Sequence, residues 1–159
     1  MTVISGLPAH VLLVHFVVVL APLTALLEIL CGLWPAARRR LVWLVVALAV
    51  VTMVLTPLTT SAGEWLYDRE RHPSPLLQTH AERGGWMIYF SIGLLVVAIA
   101  MAVLQWLEGR SQRRRVAANA GVAVVALAVG IASIIGVVRI GDSGARSVWH
   151  DELTKSDKP

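Results

Sequence analysis

The chain reads as an all-α membrane protein, a four-helix transmembrane bundle with both termini extracytoplasmic, on three observations. Of its 159 residues 57% are hydrophobic and 15% charged, too few polar residues to coat a water-soluble globule of this size; the mean hydropathy is +0.71. The apolar residues gather into four segments, each close to the roughly 20 residues that cross about 30 Å of hydrocarbon. Arginines cluster beside those segments as orientation signals do. That placement removes nucleic acid as the meaning of the net charge of +4.

The first span covers about residues 8–33, with Pro8 suited to a first helical turn and Trp34-Pro35 suited to a stop. No Lys or Arg precedes it, and it is too long for a signal-peptide core, so it is expected to be retained. The second, 41–60, has no charged residue. A polar connection from Ser61 to Pro75 follows, and Ser74-Pro75 supplies a cap and first turn for the third span, 76–107. The fourth span is 116–138, with Ala128, Ala132 and Gly136 four apart on one face, where a neighbouring backbone can come close. Residues 139–149 are expected to fold back along the interface as a lid. Residues 1–150 thus form one transmembrane domain and 151–159 a charged tail.

Arg38, Arg39 and Arg40 in the first loop and Arg110, Arg113, Arg114 and Arg115 in the third place those loops in the cytoplasm of a bacterial inner membrane. Trp34, Trp43 and Trp106 then fall at the inner boundary and Trp65, Trp86 and Trp149 near the outer one, as interfacial belts do. The single cysteine, Cys31, excludes an intrachain disulfide and reads as a small core residue.

With this topology all five histidines lie on the outer side: His10 and His15 opening the first span, His72 and His80 around the third, and His150 after the fourth. A polar ring in hydrocarbon needs a hydrogen bond or a ligand. His15 lies seven residues past Pro8 and His80 five past Pro75, so at 1.5 Å per residue their depths differ by about 3 Å. Two imidazoles at matched depth on different helices are the arrangement that holds a b-type haem iron from both sides, and Arg83 or Arg139 could meet its propionates. His10 points about 140° away from His15 around the helix, so the two address different neighbours, and His10 is left to hold a propionate or the lid. Alternatively His10, His15, His80 and Asp142 offer ligands for a zinc, iron or copper ion in a binding or transport module. In a third reading each ring bonds a local carbonyl and the chain is a structural subunit, in a homo-oligomer or a larger membrane complex. Glu28 shares a face with His10 five turns further in, and is expected to pair with a first-loop arginine rather than relay protons. No hydrolase, kinase or dehydrogenase signature is present, which leaves enzyme activity open.

Four stretches resemble a bacterial family of short four-span membrane proteins, a domain of unknown function grouped with the membrane cytochromes that hold two haems in a four-helix bundle. They are Leu7-Pro8-Ala9-His10-Val11-Leu12-Leu13-Val14-His15-Phe16, Thr59-Thr60-Ser61-Ala62-Gly63-Glu64, Gln78-Thr79-His80-Ala81-Glu82-Arg83, and Arg139-Ile140-Gly141-Asp142-Ser143-Gly144-Ala145-Arg146. The resemblance implies a four-helix bundle and a b-type haem, with His10, His15 and His80 at the family's histidine positions. The family's last motif tends to carry histidine after its first glycine, where this chain has Asp142. No histidine lies in the cytoplasmic half of any span, so one outer haem is the limit by histidine ligation.

Overall fold

A computed structural model describes residues 3–4, 7–111 and 115–156, with side chains for 9–110 and 115–149. Arg113 and Arg114 of the orientation cluster, the side chain of His150 and residues 157–159 of the tail lie outside the described residues. A two-residue antiparallel pair, β1 (Val3–Ile4) on β2 (Leu7–Pro8), leads into five helices: α1 (Ala9–Leu33), α2 (Pro35–Tyr67), α3 (Pro75–Gly85), α4 (Met87–Ser111) and α5 (Val116–Ser156).

Four helical stretches are long and apolar enough to cross a membrane: Ala9–Leu33, Pro35–Tyr67, Pro75–Arg110, in which α3 and α4 run together, and Val116–Trp149. The outward surface agrees, since Phe16, Val19, Trp43, Val54, Val96, Val124 and Val138 are all more than half exposed. In water such a surface would aggregate; in a bilayer it is solvated by acyl chains.

The helices run past the apolar segments that reveal them. α2 begins at Pro35 and ends at Tyr67, outside 41–60 at both ends, because charged residues at a membrane edge are satisfied by water and need not end a helix. Pro35, in the first turn, lacks only a hydrogen that would have had no partner. One residue, Trp34, separates α1 from α2, so the two pack as a tight antiparallel hairpin. α3 starts as the sequence indicates: Ser74 is the N-cap, its Oγ accepting from the Leu77 amide at 3.2 Å, with Pro75 in the first turn. The third span is not one helix, however. It breaks at Trp86, directly after Gly84 and Gly85, the pair that lowers helix stability most in this region. The expected fold-back of residues 139–149 is also absent, since α5 continues as one helix to Ser156. Gly141 and Gly144, which suggested a turn, lie within it.

In the bundle α1 packs on α2 and α5, α4 closes the square against α2 and α5, and α1–α4 is the closer diagonal. α3 lies against α5. Two apolar clusters fill the interior. One, around Cys31, Val42, Val45, Val97, Met101 and Ala126, lies toward the end that carries the arginine clusters. The other, around Val17, Ala21, Ala25, Met87, Leu94 and Val137, lies toward the histidines. Small residues permit close approach: a Cβ on Gly130 would meet Ile29 at 2.9 Å and the Ala25 carbonyl at 3.3 Å.

Candidate functional site

α1 and α3 enter the bundle at the same end, and each carries a half-buried histidine that faces a neighbouring helix. His10 and His80 come together with ring centroids 6.5 Å apart and planes at 73°. Each ring is fixed by a carbonyl of another helix. His10 Nδ1 donates to Thr59 O of α2 at 2.9 Å. His80 Nδ1 lies 3.2 Å from Ile140 O and 3.2 Å from Ser143 Oγ of α5, and Ser143 gives its own hydrogen to Ile140 O at 2.8 Å. A carbonyl oxygen only accepts, so Nδ1 carries a hydrogen in both rings, and in the neutral form of each ring Nε2 holds the lone pair.

Two glycines make room for this arrangement. A Cβ on Gly63 of α2 would stand 2.9 Å from Cε1 and Nδ1 of His10, and one on Gly144 of α5 would stand 2.9 Å from Cε1 and 3.4 Å from Nε2 of His80. Both sites lie inside helices, where glycine costs about 1 kcal/mol relative to alanine. The close approach of an imidazole is the physical reason for glycine there.

His15 does not face His80. Its side chain is exposed on the outside of α1, with Nδ1 turned back to Val11 O of its own helix. The depth argument fixed its height but not its direction, and the 140° offset that separates it from His10 carries it away from the other helices. Asp142 stays outside the pair as well. It is exposed and bound to Arg146 at 3.1 Å, one turn further along α5. The face of α5 that covers His80 is instead Ile140, Ser143 and Gly144. His72 is exposed. Among the described residues no group of three or more His, Cys, Asp or Glu side chains gathers as a metal site.

At the opposite end the expected partnership of Glu28 with a first-loop arginine is replaced by another. Arg38, 1% exposed, donates from Nη2 to Oε2 of Glu108 at 2.8 Å. Oε1 of Glu108 accepts from the Arg115 amide at 3.2 Å and from Asn119 Nδ2. One carboxylate thus ties α2, α4 and the start of α5 together. Glu28 is fully buried, and neither of its oxygens meets a hydrogen-bond partner.

A family model described as predicted membrane protein (DUF2231) matches residues 6–157. The chain belongs to the DUF2231 family. No curated protein and no solved structure matches it. For this DUF2231 chain, sequence reasoning singled out His10 and His80 but missed the groups that hold them: Thr59, Gly63, Ile140, Ser143 and Gly144. A signal was present, because glycine within a helical run marks a close approach, and Gly63 and Gly144 both lie in the motifs quoted above.

Proposed function

We propose that the protein is a haem-binding protein of the bacterial inner membrane, in which His10 and His80 at the outer end of the bundle would hold one b-type haem, for electron transfer or haem handling. The observation that carries this reading is the pair of rings on different helices, each clamped through Nδ1–H to a main-chain carbonyl and each, in its neutral form, left with a free Nε2 lone pair. Ligating histidines are oriented in this way, the carbonyl fixing both tautomer and direction.

The donor set fits. A haem iron brings four ring nitrogens and asks the protein for two, whereas a bare zinc, iron or copper ion wants three or four protein ligands. Arg83 and Arg139, both exposed, are available to propionates at this end. When bound, the group would supply a one-electron couple. The chain's own part is to hold two imidazoles in place through Thr59 of α2 and Ile140 and Ser143 of α5.

Protein from haem-sufficient cells is expected to show, on reduction, the split bands of six-coordinate low-spin iron. His10→Ala and His80→Ala should each abolish them and His15→Ala should leave them. A folded, colourless wild type whose spectrum does not change on titration with haemin sinks the proposal. Stoichiometric zinc, iron or copper in that colourless protein would favour the bare-ion reading.

A further inference from the structure

Between its two ends the bundle interior is not purely apolar. Thr24 and Glu28 of α1, Thr52 and Thr56 of α2, Ser91 of α4 and Ser133 of α5 are each at most 1% exposed. Four of the hydroxyls are satisfied one turn back along their own helices: Thr24 on Leu20 O, Thr52 on Leu48 O, Thr56 on Thr52 O and Ser91 on Met87 O. Thr56 and Ser91 also bond each other across helices at 2.7 Å. Two groups are left over, both oxygens of Glu28 and the hydroxyl of Ser133. Buried polar groups are nearly always paired, so a buried carboxyl with no partner calls for a role.

No counter-charge answers Glu28. Residues 41–63, 87–107 and 116–138 contain no Asp, Glu, Lys, Arg or His. Cys31 on α1 senses both Glu28 and Arg38, and Arg38 is bound to Glu108 on α4. An unpaired carboxylate in that setting is far more costly than a carboxylic acid. Toward the arginine end Glu28 is followed by the apolar layer of Val42, Val45, Val97, Met101 and Ala126. Toward the histidine end the apolar side chains of the second cluster, Ala21, Ala25, Leu94 and Val137 among them, are interleaved with hydroxyls. Thr24 is one turn away on the same helix. Ser133 is one turn beyond Gly130, which packs on Ala25 and Ile29. Thr52, the Thr56–Ser91 pair and Thr59, whose carbonyl holds His10, come next.

We propose that Glu28 is an intramembrane proton-binding site, reached from the histidine end along this series of hydroxyls. Within one helix successive members, Glu28 to Thr24 and Thr52 to Thr56, are one turn or about 5.4 Å apart, a gap that one transient water bridges, and between helices Thr56 and Ser91 are in direct hydrogen bond. In loading, a hydronium ion at the histidine end gives up its proton, water is left behind, and the Glu28 carboxylate becomes a carboxylic acid. Unloading is the reverse. No cofactor at the histidines is needed for this, so it stands or falls apart from the haem reading.

The test is infrared spectroscopy of the full-length protein in detergent or lipid, transferred from H₂O to D₂O. The expected result is a protonated-carboxyl band that shifts in D₂O, is lost in Glu28→Gln, and moves in Glu28→Asp. Thr56→Val and Ser133→Ala should slow the exchange about ten-fold. Absence of the band, its survival in Glu28→Gln, or a band that never exchanges in the folded protein would each overturn the proposal. So would exchange rates untouched by both hydroxyl variants. If Glu28→Gln does not fold, the wild-type exchange and the Glu28→Asp shift still decide.

Discussion

The two ends of this bundle place polar groups in an apolar setting by opposite means. At the arginine end a full charge, Arg38, is buried against a full charge, Glu108, and one carboxylate gathers three helices. At the histidine end no ion pair is formed: the rings donate to carbonyls inside neighbouring helices, and glycines let them reach. The first device is one-sided, because losing Glu108 would strand the buried Arg38, whereas Glu108, 21% exposed, keeps the donors of Arg115 and Asn119. The second is built of small terms, each about 1 kcal/mol.

Arg38→Met is the sharpest way to break this contrast. Removing the guanidinium takes from Glu108 one charge-assisted hydrogen bond and should cost about 1.5–3 kcal/mol, visible as a fall in thermal midpoint in detergent, and adding Glu108→Leu should recover part of it. If the single variant melts like wild type, the ion pair is not what holds that end. A smaller effect is expected from Gly144→Ala, whose Cβ would press on a ring held by two bonds; overpacking of this kind costs about 1–3 kcal/mol, and here it should also displace His80. Its control lies at the other end. Gly109 has nothing within 4 Å of an added Cβ, so Gly109→Ala should be neutral or stabilising by about 0.5–1 kcal/mol. Equal losses at the two glycines would remove the close-approach argument. The smallest change is expected from Asp142→Asn, since an exposed i,i+4 pair is worth about 0.3–0.5 kcal/mol.

How much of this was legible in the sequence depends on which coordinate is asked for. Position along the membrane normal was readable, because hydropathy is an axial signal. The four spans, the Ser74-Pro75 helix start and the common end of His10 and His80 all follow from it. Direction around each helix was not, because both faces of a span are apolar and carry no amphipathic contrast. His15 was therefore matched in height with His80 while pointing to the outside. Glu28 was likewise given the nearest arginine in sequence, when Arg38 goes to a carboxylate 70 residues away. Gly63 and Gly144 would have resolved the azimuth, since a glycine that interrupts a helical run marks the side where something comes close.

α5 has a consequence of a mechanical kind. Its 41 residues make a rod about 60 Å long, roughly twice the thickness of the hydrocarbon, so its last part stands clear of the bilayer as a mast. The contacts with His80, through Ile140, Ser143 and Gly144, lie where the mast begins, just past the apolar run that ends at Val138. They form the fulcrum of a lever. A sideways load on the far arm is magnified there and arrives as a torque on one imidazole ring.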